Sequence, residues 1–490
     1  MNSAKSTVVT GPILRAARLS LAVGSLLAGG FAVSAQSSDA LIDKLIKKGV
    51  LTVDEGEELR QQSDNDFTKA VQVKNGMPDW VTSLKVNGDF RGRYEQFYSE
   101  NPGYTTRTRY RIRARLGVTA TIQDDLEVGI RLATADASNP LSANATLQGN
   151  ATRKPVTFDA AYAKWSPIHN GTWTASATIG RFDNPFQVSN MVFDNDYIPE
   201  GAALQVGYQI NDRQSIKAVA GYYTLAELNQ SSVTNNAGNP IIDGSSVLSP
   251  SHDPAIQGAQ IVWDAKWTKK LDSQVGVSFY NLSGKDNLGT FLVANNIPNV
   301  NSGNTRTPST QASPGRLVYD YNPFVISENL TYHLDSFPGY PGVFPVKLFG
   351  EYINNPAAPS KNEGYRVGLT LGKAGEKRKW EVTYRYQSLG ADAWYEEVVD
   401  DDNGAFYANT IPGDTGPVVS RFGNYGNYRG GTNIRGHYFQ LQYSFNSSAS
   451  FVFSYYLNTV IDKFSDPSNI NVRGDQSAAS HFMADLMFKF

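Results

Sequence analysis

Arginine occupies five alternate positions in one short run, RTRYRIRARLGV: Arg107, Arg109, Arg111, Arg113 and Arg115. Thr108, Tyr110, Ile112, Ala114 and Leu116 lie between them. A helix would wrap these cations around its axis, whereas a strand puts all five on one face. Same-face neighbours are then roughly 7 Å apart, and each pair repels by ~0.6 kcal/mol in water. The chemistry open to such a row is electrostatic. It needs water, carboxylates or anions, and its reverse face needs something apolar. An amphipathic strand over an ordinary core shows the same alternation, so the rest of the chain must decide.

Other chemistry finds little support. His169, His252, His333, His437 and His481 are scattered without H-E-x-x-H spacing, so a metal centre is not expected. There is no G-x-S-x-G or Walker sequence. DDDNG at Asp400–Gly404 lacks the downstream glutamate of a calcium loop and reads as a solvated acidic loop. No cofactor is expected.

The 490 residues carry a formal charge of −2, which argues against nucleic acid as a partner held by bulk charge. No cysteine is present, so no disulfide framework is available. Twenty-six Tyr, 24 Phe, 7 Trp and 43 Gly suit strands and turns better than helices.

The elements that position the arginines follow from the order of the chain. Residues 1–35 read as a cleaved export signal: Lys5, Arg15 and Arg18 precede LSLAVGSLLAGGF, and VSA stands before Gln36. Residues 36–80 read as a helical leader on the periplasmic side, with a thin apolar seam at Leu41, Ile42, Leu45 and Ile46. From Trp80 the period becomes two and stays so. LKVNGDFRGRY, LEVGIRL, LQVGYQI, KWEVTYRYQ, FQLQYSF and FVFSYYL all alternate. Short links such as Gln123-Asp124, Asn211-Asp212-Arg213 and Lys269-Lys270 take turns with long polar loops near 225–256, 282–320, 394–431 and 461–479.

That rhythm is the signature of a transmembrane antiparallel β-barrel, with tight turns on one side and extended loops on the other. Arginine facing lipid costs about 2–4 kcal/mol at the midplane, so the ladder must face a wet lumen. Arg91, Arg93 and Arg131 share that expected lumen face. Strands of about nine to eleven residues give roughly sixteen over residues 81–490, which leaves an aqueous interior. Glu328 shares parity with Ile326 and Leu330, so a bulge or a position near the rim is expected there. Trp165, Trp173, Trp263, Trp267, Trp380 and Trp394 cluster near strand ends, as interfacial girdles do.

The chain ends in HFMADLMFKF, with Phe488 and Phe490 on the apolar face. This resembles the last strand of Gram-negative outer-membrane proteins and implies recognition by the barrel-assembly machinery. ARLG at Ala114–Gly117 resembles the second strand of the sixteen-stranded general porins, which implies a pore-lining role for Arg115; Arg111 and Arg113 are its neighbours on the ladder and are expected beside it. GRF at Gly180–Phe182 followed by DNDYIPEG at Asp194–Gly201 resembles their inward-folded third loop. The resemblance implies a loop at 183–201 whose Asp196 and Glu200 face the ladder across a constriction, and Asp194 of the same segment is a further candidate there. Two features depart from that pattern. Thr157 stands where those porins place a further arginine, with Arg153 and Lys154 nearby. The helical leader is more like the "putative porin" families.

The expected function is an outer-membrane porin, a water-filled channel for passive diffusion of small hydrophilic solutes and ions. Five cations against two or three acids predict a modest anion preference. The alternatives are a substrate-selective channel, a barrel enzyme and a soluble exported β-protein. The selective channel would pass phosphate or other anions along the ladder, or sugars past Tyr223 and Tyr280. The resemblance also implies outer-membrane lipid as a partner and a homotrimer.

Overall fold

The computed structural model describes residues 78, 80–100, 106–135, 139–227, 253–288, 302–307, 316–408, 427–462, 473–474 and 478–490. The expected export signal and nearly all of the leader lie outside these residues, as do the tips of most long loops. The chain divides into two units. The first is Met1–Lys85 with Thr121–Gln123; in its described part the Thr82 hydroxyl donates to the Thr121 carbonyl, and the Gln123 amide to Trp80.

The second unit, Val86–Ala120 with Asp124–Phe490, is the barrel. In chain order the strands are β1 (Val81–Ser99) and β2 (Arg107–Ile122), of which 81–85 and 121–122 belong to the first unit, then β3 (Leu126–Ala133) and the two-residue β4 (Ala145–Thr146). Next come β5 (Thr157–His169), β6 (Trp173–Arg181), β7 (Glu200–Asn211), β8 (Gln214–Thr224), β9 (Ala255–Lys266) and β10 (Leu271–Ser283). The far side holds β11 (Phe324–Leu334), β12 (Phe344–Asn354), β13 (Glu363–Gly372) and β14 (Trp380–Leu389). Short β15 (Gly404–Ala408), β16 (Asn427–Gly430) and β19 (Arg473–Gly474) pair with one another in a separate sheet. The wall is completed by β17 (Ile434–Ser444), β18 (Ala449–Val460) and β20 (Ala479–Lys489).

Sixteen long strands each pair with the next, and β20 pairs with β1 from Asp89↔Lys489 to Ser99↔Ala479, so the sheet has no free edge. The link between β2 and β3 has positive φ at both Gln123 and Asp124, the geometry that matches the twist of a two-residue hairpin.

Alternation sorts the faces. Tyr110, Ile130, Leu204, Ile261, Phe279 and Leu348 are exposed on the outside, far more apolar surface than a water-facing sheet carries. Their strand neighbours Arg111, Ala203, Gln260, Ser278 and Phe349 are buried inside. Glu328 stays on the outer face. Its register runs unbroken through Val275 and Gly350, so no bulge turns it.

Stretches of connecting chain fold inward and supply a core within the lumen. Residues 182–199 and 390–403 bring Phe186, Met191, Phe193, Trp394, Tyr395 and Val398 against Tyr223 and Tyr280 of the wall. Trp394 therefore differs from the girdle position expected of it. Its segment turns into the lumen, and its side chain is fully buried. Trp165, Trp173 and Trp267 are exposed at strand ends as girdle residues should be.

Candidate functional site: a charged constriction

The wall of the site is built by β1, β2 and β20, whose inward positions interleave cations and carboxylates. Arg93 makes a bidentate pair with Asp485, both contacts at 2.8 Å. Arg91 donates to Asn144 at 2.7 and 3.2 Å and lies 3.9 Å from Asp196. Arg109 contacts Glu95 and stacks over Phe97, and Arg111 lies 3.6 Å from Glu95. Arg111 also donates to Ser142 and to the Asn144 carbonyl, each at 3.1 Å. Asp89 accepts from Arg113 at 2.9 Å and from Arg115 at 2.7 Å. Arg107, the first rung, has no carboxylate within 4 Å among the described residues. Such fork-shaped pairs hold guanidinium groups in fixed planes.

The ladder's cations are thus largely matched on their own wall. Asp89 and Glu95 share the face of Arg91 and Arg93 in DFRGRYE, a signal visible in the alternation that a tally of ladder and loop alone omits. Asp485 is a different case. It sits in the terminal strand and meets Arg93 only through closure.

Opposite the wall lies the 182–199 loop. Asp196 reaches Arg113 at 3.3 Å and Arg115 at 3.9 Å; Asp196 and Arg115 are partly exposed, and Arg113 is buried. The loop begins with Asp183, an exposed carboxylate that takes Arg131 bidentately at 2.7 and 3.1 Å, while Arg131 also contacts Asp159. Asp183 escaped sequence reasoning because it lies before the DNDYIPEG motif.

Asp194 faces the other way. Its carboxylate accepts the amides of Asp196 at 2.6 Å and Asp401 at 3.2 Å, and no ladder arginine lies within 4 Å. Burial, then the charges of Asp401 and Asp400, push its carboxyl well above the usual range. Burial and the charges of Asp402 and Asp400 raise Asp401 likewise. Asp402 is different: against the effect of burial, the Arg93 guanidinium at 3.5 Å holds it low.

Glu200 does not meet the ladder. It is the first residue of β7, opposite Arg181 of β6, and pairs with it at 2.9 Å. By register the two share the outward face of Ile179 and Leu204. The loop is re-entering the sheet at that point, and strand alternation rather than the loop's path sets the side chain's direction. Tyr223 and Tyr280 are buried in the lumen core, where no solute can stack on them.

Two groups bring three potential cation ligands together: Glu95, Asp402 and His481, and Asp194, Asp400 and Asp401. In the first, arginines already face the carboxylates; in the second, Arg385 pairs with Asp400 at 3.0 Å. The first reads as compensated charge; in the second one arginine faces three carboxylates, and burial with their mutual charge raises Asp194 and Asp401. Toward the short-turn end, Asp264, Gln274 and Asn329 form a hydrogen-bonded row, with His333 2.8 Å from Asp272 beside it. These residues except His333 line a polar cavity of about 460 Å³.

At the terminus, Phe488 and Phe490 are exposed on the outer face. The Phe490 amide donates to Gly88 at 3.1 Å, and the Gly88 amide returns a bond of 2.9 Å.

Residues 100–311 match the family model described as "Putative porin". Among curated proteins none matches. Similar solved structures include Salmonella typhi OmpF in complex with daunomycin, at 9% identity and a TM-score of 0.41, covering 83% of this chain and 98% of that one. Pseudomonas putida OprB is similar at 12% identity and a TM-score of 0.45, covering 83% and 94%. A mutant of Rh. blastica porin is similar at 11% and 0.37, covering 83% and 100%. The strand count above rests on this chain's own pairing.

Proposed function

We propose that this protein is an outer-membrane channel through which small hydrophilic solutes and ions diffuse passively. One observation carries the reading: a closed barrel whose outside is apolar and whose inside is lined with ionised groups. Only a lipid exterior with a wet lumen satisfies both faces. The family match over residues 100–311 supports the same conclusion.

On this reading residues 1–35 direct export and are removed, and Phe490 presents the chain to the barrel-assembly machinery. The working form is a homotrimer. Arg111, Arg113 and Arg115 form one side of the constriction, and Asp196, joined by Asp183, forms the other. Because Asp196 and Asp183 pair directly with Arg113, Arg115 and Arg131, the solute meets the partly exposed edge of these pairs, whose local field orients polar solutes and disfavours apolar ones. Asp89 and Glu95 offset most of the ladder, so the anion preference is small and comes from the partly exposed Arg115 and from Arg107. No catalytic step is assigned, and the Asp272–His333 pair is read as part of the polar wall.

Single-channel recording in a planar bilayer tests the proposal. The expected result is stable conductance steps that scale with bulk salt conductivity. Absence of steps from correctly folded barrel would overturn it, and saturation by phosphate would favour the anion-selective alternative.

A further inference from the structure

The two inward segments come from distant parts of the chain, yet they join through main-chain hydrogen bonds. The Asp194 amide donates to the Val398 carbonyl at 2.7 Å, and the Asp400 amide to Asn190 at 2.9 Å. The wholly buried Trp394 indole donates to the Val192 carbonyl at 2.9 Å and packs edge-on to Phe193. On its other side it lies against Tyr280 of β10, with ring centres 5.5 Å apart. Asn190 is held from the opposite wall by Arg366 and Arg385, each 2.9 Å from its Oδ1. The Gln187 amide donates to Gln260 of β9 at 2.8 Å. The joined segments therefore bear on the wall from β8 to β14.

Exposure of the lumen-facing side chains follows this arrangement. Gln260, Ser278, Glu351 and Gln387, on β9, β10, β12 and β14, are all buried. Arg115 of β2 and Arg131 of β3 keep 23% and 21% of their side chains exposed, and Asp196 opposite them keeps 23%. Exposure beside the loop is therefore met at Arg115, Arg131 and Asp196, while Arg111 and Arg113 farther along β2 are buried.

We propose that residues 390–403 are a second constriction element, which clamps the 182–199 loop against β8–β14 and confines the solute path to the wall of β2, β3 and β5. The proposal rests on the channel reading. Trp394 is the positioning residue. It touches no solute and acts through Val192 and Phe193, which set where Asp194 and Asp196 stand. Without the clamp, the loop keeps its hydrogen bonds to Gln260, Glu351, Tyr223 and the two arginines, and its end pairs Asp183–Arg131 and Asp196–Arg113. Phe186 and Phe193 also keep Tyr223 and Tyr280 of the wall, but Phe193 loses the Trp394 ring packed edge-on against it.

The chain contains no cysteine, so single cysteines report access directly. Lys164→Cys places a thiol on the lumen face of β5, and Ser278→Cys places one beneath the clamped loop. A charged methanethiosulfonate reagent is expected to label K164C and lower its conductance, and to leave S278C unreacted. Adding Trp394→Ala should speed labelling of S278C roughly tenfold or more by raising the population of the open loop, and Trp394→Phe, which keeps an aromatic ring but not the bond to Val192, should restore part of the protection. If W394A does not assemble, Asn190→Ala in the S278C background is read instead. Rapid labelling of S278C alone would overturn the proposal, as would unchanged protection in both clamp variants. Labelling is measured on the folded barrel by mass, so it stays readable if no channel current appears; that outcome would strike the channel reading and leave the clamp intact.

Discussion

Replacing Asp89 with asparagine removes one negative charge from the constriction while keeping the side chain's shape. Asp89 is the shared acceptor of Arg113 and Arg115, at 2.9 and 2.7 Å. Once it is neutral, those two cations retain only Asp196, at 3.3 and 3.9 Å. A unit charge about 6 Å from a passing ion is worth ~0.7 kcal/mol in water, or ~0.4 kcal/mol after damping by the ~10 Å Debye length of 0.1 M salt. Anions gain that amount and cations lose it, so the anion-to-cation permeability ratio should rise about fourfold. At 1 M salt the Debye length is ~3 Å, the energy falls to ~0.1 kcal/mol, and the ratio should change only about 1.4-fold. Reversal potentials across matched KCl gradients at low and high mean salt measure both ratios. A shift toward cations, or one of equal size at both salts, would refute the assignment of Asp89 to the wetted constriction.

Three further outcomes follow from the same geometry. In Gly88→Val a Cβ would lie 2.5 Å from both the Arg115 carbonyl and the Phe490 ring, so barrel closure should fail and the heat-modifiable folded band on gels should be lost; normal folding would show that this seam tolerates bulk. Glu200→Gln should leave the reversal potential unchanged, because the pair with Arg181 lies on the outward register; a clear shift would put it in the lumen. Asp194 and Asp401 have carboxyls raised well above 3.8, so their contribution to docking of the two inward segments is full below that value and is lost as pH rises through the raised range. Thiol labelling of S278C should therefore quicken with pH after correction for thiolate formation, and Asp194→Asn should flatten the profile; an unchanged slope in that variant would sink this linkage.

The wall of the site was legible because side-chain period is a local property. The five ladder arginines and the apolar residues between them announce both faces of β2 without reference to anything distant, and repeated alternation and loop rhythm extend the argument to sixteen strands. What escaped was set by contacts the local pattern does not encode. Trp394 follows β14 as a girdle residue would, yet its loop turns inward because Val192, Phe193 and Tyr280 offer an apolar seat. Asp196 was found through its motif, but Glu200 in the same motif starts a strand, and register decided its direction. Asp194 lies beside Asp196 yet turns to Asp400 and Asp401, which belong to a loop some two hundred residues later. The expected leader lies almost entirely outside the described residues.

Closure of the barrel between β1 and β20 bears on the order in which the molecule can assemble. Arg93 and Asp485 are separated by 392 residues, and Glu95 and His481 by 386, so these partners meet only when the last strand arrives. Until then the first strand has an unpaired edge and cations without their full complement, beside a second strand that carries more of the same sign. A half-built sheet is therefore both open-edged and electrostatically strained, and the final pairing removes both penalties in one step. Closure and charge pairing are thereby coupled: a change that splays β1 from β20 also separates Arg93 from Asp485 and Glu95 from His481.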